Sequence, residues 1–169
     1  TLSWTLITRS TYRSWAGRTK VRKLSELFAR IVAIDFEFQQ PRGCNPNPWC
    51  VAVTDAYTGR TESWWLGDRD RFPEPPFPSD DQTLFVTFSG AAEWQCYLEL
   101  GWGLPRYTVD LLAESRRITN GRLLEHPSLA LVTSLYRLPD VDEADKDHWR
   151  DVAIRGPETE EERSGLMAY

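Results

Sequence analysis

The sequence predicts a mixed α/β domain with a central sheet flanked by helices. Three observations carry this. An apolar, β-branched run at residues 31–38, I-V-A-I-D-F-E-F, reads as a buried strand. Further short strand patterns fill the first half of the chain, and helical patterns alone fill the second. Between them lies a single strand-to-helix passage at residues 83–100, the order of a sheet covered by helices.

At 169 residues the chain suits one domain with a proper core. An apolar content of 41% and a charged content of 27% are those of an ordinary globular protein, which excludes wholesale disorder. No apolar run is long enough to span a bilayer, so no membrane partner is expected and a cytoplasmic setting is. Three cysteines without C-x-x-C spacing and two histidines argue against a zinc site or a disulfide framework. The chain opens on Thr1 and closes at Tyr169 within an expected helix, so a fragment or trimmed chain is expected.

Residues 1–30 read as a basic N-terminal arm or leader. Between Arg9 and Arg30, seven basic residues face one acid, a local charge of +6, which leaves −11 on the rest of a chain whose net charge is −5. Such an arm suits a phosphate backbone or remains a solvated leader. Residues 24–29 give a short helical turn that feeds the strand at 31–38. Prolines and Gly43 make 39–48 a loop. Residues 49–56 and 61–66 form an antiparallel pair across the turn 57–60, and the proline-dense stretch 68–81 is expected as a surface loop.

Residues 83–88 make a fourth strand. Ser89-Gly90 breaks it, and 91–100 starts a helix with Glu93 in its first turn, where the helix dipole favours an acid. Thr108 is the expected cap of a helix at 109–118. Further helices are expected at 127–138, with Leu129, Val132, Leu135 and Tyr136 on one stripe, at 142–155 and at 158–169.

Within the first strand, Asp35 and Glu37 share a face while Phe36 points to the other, into a core. Two like charges on one face repel unless a cation or a proton lies between them, and oxygen ligands suit Mg²⁺ or Mn²⁺. Two solvated acids at a strand end are the plainer alternative.

From about residue 31 to the end, the chain resembles the exonuclease domain of family A DNA polymerases, especially the phage type, within the DEDD superfamily of 3′–5′ exonucleases. The resemblance rests on D-F-E, on F-V-T-F-S-G-A-A-E-W-Q-C-Y-L-E-L-G-W-G-L-P followed by T-V-D-L-L-A-E-S-R-R-I-T-N-G, and on K-D-H-W-R-D-V-A-I-R-G with E-E-R-S-G-L-M-A-Y. It implies a ribonuclease H-like exonuclease fold over residues 31–169, truncated at its C-terminal end. It also implies a metal-dependent proofreading exonuclease of phage or bacterial host cytosol, with two divalent ions, Mg²⁺ or Mn²⁺. The DNA 3′ end is then the substrate, and a polymerase domain lies C-terminal to the chain.

On this resemblance Asp35, Glu37 and Glu93 are metal ligands, Glu93 standing where the superfamily usually has Asp, with Asp110 as the alternative acid. Tyr169 opens a Y-x-x-x-D motif and helps place the attacking water; the motif's acid would fall four positions later. Lys146 or Arg150 neutralises a phosphate oxygen, His148 is a helix-face residue rather than a base, and Phe36, Phe38 or Trp94 stacks on terminal bases. An RNA-directed nuclease and a catalytically silent nucleic-acid-binding or scaffold domain are the alternatives.

Overall fold

In the computed structural model, which describes residues 22–68, 71–120, 122, 127–138 and 143–169, the strand carrying Asp35 and Glu37 is the middle one of a five-stranded sheet. The strands are β1 (Arg30–Gln39), β2 (Asn47–Asp55), β3 (Thr61–Trp65), β4 (Thr83–Thr87) and β5 (Thr108–Asp110), in the spatial order β3-β2-β1-β4-β5. β1–β2 and β2–β3 pair antiparallel, whereas β1–β4 and β4–β5 pair parallel, so the sheet is mixed. Arg30, expected as the last residue of the basic arm, opens β1; of that arm only residues 22–29 are otherwise described, with one 3-10 turn at Leu24–Glu26.

Parallel strands need a crossover, and α1 (Gly90–Glu99) supplies the one between β4 and β5. β4 is buried at every residue, which explains its unbroken T-L-F-V-T run: a central parallel strand has no polar face. α2 (Leu111–Ile118), α3 (Leu129–Leu135), α4 (Glu143–Arg155) and α5 (Glu160–Ala168) follow. Thr159 caps α5 by accepting from the Glu162 N–H at 3.1 Å, and Glu162 reaches back to the Glu158 N–H at 2.8 Å.

β1 alternates as its sequence dictates. Val32, Ile34 and Phe36 join Val51, Val53, Phe85, Tyr97 and Trp102 in a core on one face. Its aromatic rings meet edge-to-face, Tyr97 with Trp102 at 5.3 Å and with Phe36 at 5.7 Å, the geometry that ring quadrupoles favour. The stretch expected as a surface loop enters this core. Phe77 is buried there, and the Trp102 indole N–H donates to the Phe72 carbonyl at 2.9 Å.

The opposite face carries a second cluster built from Cys50, Ala153 and Leu166 with Trp49, Trp65, Trp149 and Met167, which seats α4 and α5. Trp49 belongs here because of a bulge. Glu37 faces Cys50 and Phe38 faces Pro48, so Trp49 is an extra residue, freed from strict alternation. Its indole stacks on Trp65 at 6.1 Å and donates to the Ala153 carbonyl at 2.9 Å.

Two helix expectations are revised. Thr108 lies in β5, and Asp110 is the cap of α2. α3 is shorter than expected, and the stripe read across it is only partly covered: Val132 is buried, whereas Leu135 and Tyr136 are exposed. On α4, Val152 is buried and His148 is exposed.

Candidate active site

β1 is longer than β4, and the site forms where it outruns its neighbour. The β1–β4 register ends at Ala33 opposite Val86. Past that point no β4 residue pairs with Phe36, and its backbone N–H donates instead to the Glu93 carboxylate at 3.0 Å. A buried N–H needs a partner, and a carboxyl oxygen of Glu93 supplies it. A carboxylate from α1 thus sits at the backbone between Asp35 and Glu37.

The three acids differ in environment. Asp35 is exposed, Glu37 is half-buried and Glu93 is 4% exposed. Burial is the largest influence on Glu93, and together with the negative charge of Asp35 it outweighs the Phe36 N–H, which favours the carboxylate; Glu37 adds a smaller push. The result is a pKa pushed up to about 9. Asp35 and Glu37 therefore lie within electrostatic reach of Glu93. Two thiols flank them: burial, reinforced by Glu37, pushes Cys50 up to about 12, and burial followed by the charge of Glu93 also raises Cys96, so both are neutral packing groups.

Carboxylate oxygens are the donors that Mg²⁺ and Mn²⁺ prefer, so the residue types fit. Among the described residues, however, no three His, Cys, Asp or Glu side chains form a group able to hold a metal ion. Asp35, Glu37 and Glu93 are electrostatically coupled without being gathered into a closed ligand set.

Asp110, the alternative acid, is otherwise engaged. Its carboxylate accepts from the N–H groups of Ser89, Gly90, Leu112 and Ala113 at 3.2, 2.9, 2.9 and 3.3 Å. Four donors on one carboxylate satisfy its lone pairs and leave little capacity for a cation.

Phe36 does not offer a face to a nucleic-acid base, contrary to the sequence expectation: it is 3% exposed and packed on Tyr97 and Trp102. Its place in the alternation is the reason. Phe38 and Trp94 pack against the same core but keep partial exposure. Arg150 is exposed on α4; the side chain of Lys146 lies outside the described residues. Tyr169 follows α5, its N–H donating to the Gly165 carbonyl at 3.0 Å and its side chain exposed. Sequence reasoning missed Ser89, which adopts a left-handed conformation at φ 68°. The Ser-Gly pair marked a break but not its handedness.

No family model and no curated protein matches the chain. Among solved structures it is similar to Escherichia coli RNase D, described as an exoribonuclease involved in structured RNA processing, with TM-score 0.50, 18% identity, and 86% of this chain against 37% of that one. It is also similar to the Aedes aegypti Nibbler EXO domain, with TM-score 0.50, 13% identity, and 86% of this chain against 75% of that one. The chain has the ribonuclease H-like exonuclease fold, a mixed five-stranded sheet flanked by helices. Neither neighbour is described as part of a DNA polymerase.

Proposed function

We propose that the chain is a metal-dependent 3′–5′ exonuclease domain that removes nucleotides from DNA 3′ ends, in the proofreading role beside a polymerase domain C-terminal to it. The observation that carries this reading is the Glu93 carboxylate on the Phe36 N–H, which brings a third acid to the backbone between Asp35 and Glu37. Asp35 and Glu37 both push the Glu93 carboxyl toward its protonated form, and acids brought together in this way need a shared proton or a cation.

Asp35, Glu37 and Glu93 are the residues that would hold two divalent ions, Mg²⁺ or Mn²⁺. When bound, such ions supply a nucleophile at neutral pH and stabilise charge on the attacking and leaving oxygens. Asp35, being exposed, would be the ligand open to an arriving phosphate, and Glu93, buried and fixed by a backbone N–H, would be the inner one. Tyr169 orients the attacking water through its hydroxyl. Arg150 or Lys146 on α4 would neutralise a phosphate oxygen, and Phe38 or Trp94 would receive the terminal base.

A second reading, an exonuclease acting on RNA, is favoured by the likeness to RNase D. Matched DNA and RNA strands labelled at the 5′ end, incubated with Mg²⁺ and the full chain, separate the two. Stepwise shortening of DNA from the 3′ end is expected, with Asp35→Asn slowing it about a thousand-fold, equivalent to about 4 kcal/mol of barrier. Shortening of RNA alone replaces the DNA reading with the second one. Unchanged shortening by Asp35→Asn removes Asp35 from the mechanism, and binding of either strand without shortening leaves a silent nucleic-acid-binding domain.

A further inference from the structure

Asp110 connects two helix starts and, through one of them, Glu93. Its Oδ1 accepts from Leu112 and Ala113 in the first turn of α2 and from Ser89, while Oδ2 accepts from Gly90 at the start of α1. For α2 this is an ordinary N-cap. For α1 it is a cap supplied from outside, since Ser89, its own cap residue, makes no side-chain capping bond.

Ser89 also sits at φ 68°, ψ 54°, a conformation that a residue with a Cβ keeps only where its surroundings hold it. Gly90 is fixed as tightly: a Cβ there would meet Thr87 Oγ1 at 2.7 Å and Trp94 Nε1 at 2.9 Å. Thr87 is in turn the β4 partner of Asp110 across the β4–β5 ladder. Strand register, the Asp110 carboxylate and the first turn of α1 form one closed frame. Glu93 stands three residues past Gly90, so any rotation or slide of that turn moves its carboxylate relative to β1.

We propose that Asp110 is a positioning residue: by holding the left-handed Ser89–Gly90 start of α1, it sets the Glu93 carboxylate on the Phe36 N–H between Asp35 and Glu37. The consequence for metal binding rests on the exonuclease reading; the geometry does not.

The test uses the full chain with Asp110→Ala and the milder Asp110→Asn, which keeps one carbonyl acceptor. Amide hydrogen exchange followed by NMR without metal is read first. Asp110→Ala is expected to speed exchange at Phe36 at least ten-fold and to shift its amide proton upfield, with Asp110→Asn between it and the parent. Mn²⁺ alone, titrated calorimetrically, is expected to bind at least ten-fold more weakly to Asp110→Ala. Should exchange rise only at Leu112 and Ala113, with Phe36 and Mn²⁺ affinity at parental values, Asp110 is merely the cap of α2 and the proposal is overturned. If Asp110→Ala does not fold, the Phe36 amide in Asp110→Asn decides by the same criterion. If Glu93→Gln leaves Mn²⁺ affinity unchanged, the exonuclease reading fails, while the Phe36 amide still decides the role of Asp110.

Discussion

Glu93→Gln is expected to stabilise the metal-free protein at alkaline pH and to abolish its response to Mg²⁺ or Mn²⁺. Burial and the neighbouring Asp35 raise Glu93 from 4.5, its ordinary value, to about 9. Below the ordinary value the group is protonated in folded and unfolded chains alike, and it costs nothing. Between there and about 9 the unfolded chain releases the proton while the folded one keeps it, so the folded state binds more protons and stability falls as pH rises, by at most about 1.4 kcal/mol per pH unit. A glutamine cannot ionise, yet its carbonyl can still accept from the Phe36 N–H. Urea unfolding in EDTA at pH 5, 7 and 9 should therefore show a falling trend in the parent and a flatter one in Glu93→Gln. Added Mn²⁺ should reverse the parental trend, because a cation that holds the ionised carboxylate competes with the proton, and it should leave the variant unmoved. Parental stability that is flat across this range in EDTA would show that Glu93 carries no such burden.

How much of this was legible in the sequence depends on whether the cause is local. Strand alternation is local, and it placed Asp35 and Glu37 opposite Phe36 as the sheet has them. The fourth strand was legible at 83–88, but its burial on both faces, Thr83 and Thr87 included, follows from its place between β1 and β5. Glu93 was visible as an acid in a first turn, where a solvent-facing dipole contact would suffice. Its actual partner, the Phe36 N–H, exists only because β1 extends past Ala33 while β4 does not follow. That difference in length is set by pairing between residues far apart in sequence. The side on which Trp49 lies has a similarly non-local cause, a bulge opposite Glu37 and Phe38 that breaks the alternation by which it would face the other core. Phe77 was hidden among prolines that do mark a loop, but whose apolar side chain fills the gap beside Trp102. Asp110 read as one more helix residue because a three-residue strand, β5, has no periodicity to detect.

Gly165→Ala is expected to destabilise the protein by about 1–3 kcal/mol, the usual penalty for overpacking, although alanine is the better helix former by about 1 kcal/mol. A Cβ on Gly165 would lie 1.9 Å from Trp149 Cη2 and 2.6 Å from both Cζ2 and Cζ3. The indole has little room to yield, because it packs in the cluster of Cys50, Ala153, Leu166, Trp49, Trp65 and Met167 and meets the His148 ring at 4.7 Å. α5 must then lift from α4. That displacement reaches the site by a short route: the Leu166 carbonyl lies 3.7 Å from Cys50 Sγ, and Cys50 is the cross-strand partner of Glu37. Tyr169 stands one helical turn past Gly165 and must move with it. Pairing Gly165→Ala with Trp149→Leu should remove the clash and let the helix preference of alanine emerge, so the double-mutant cycle should show a coupling above about 1 kcal/mol. A Gly165→Ala protein as stable as its parent, with no coupling to Trp149→Leu, would mean that the indole swings aside freely. Helix propensity would then decide the effect, and the seat of α5 over Cys50 would not depend on this contact.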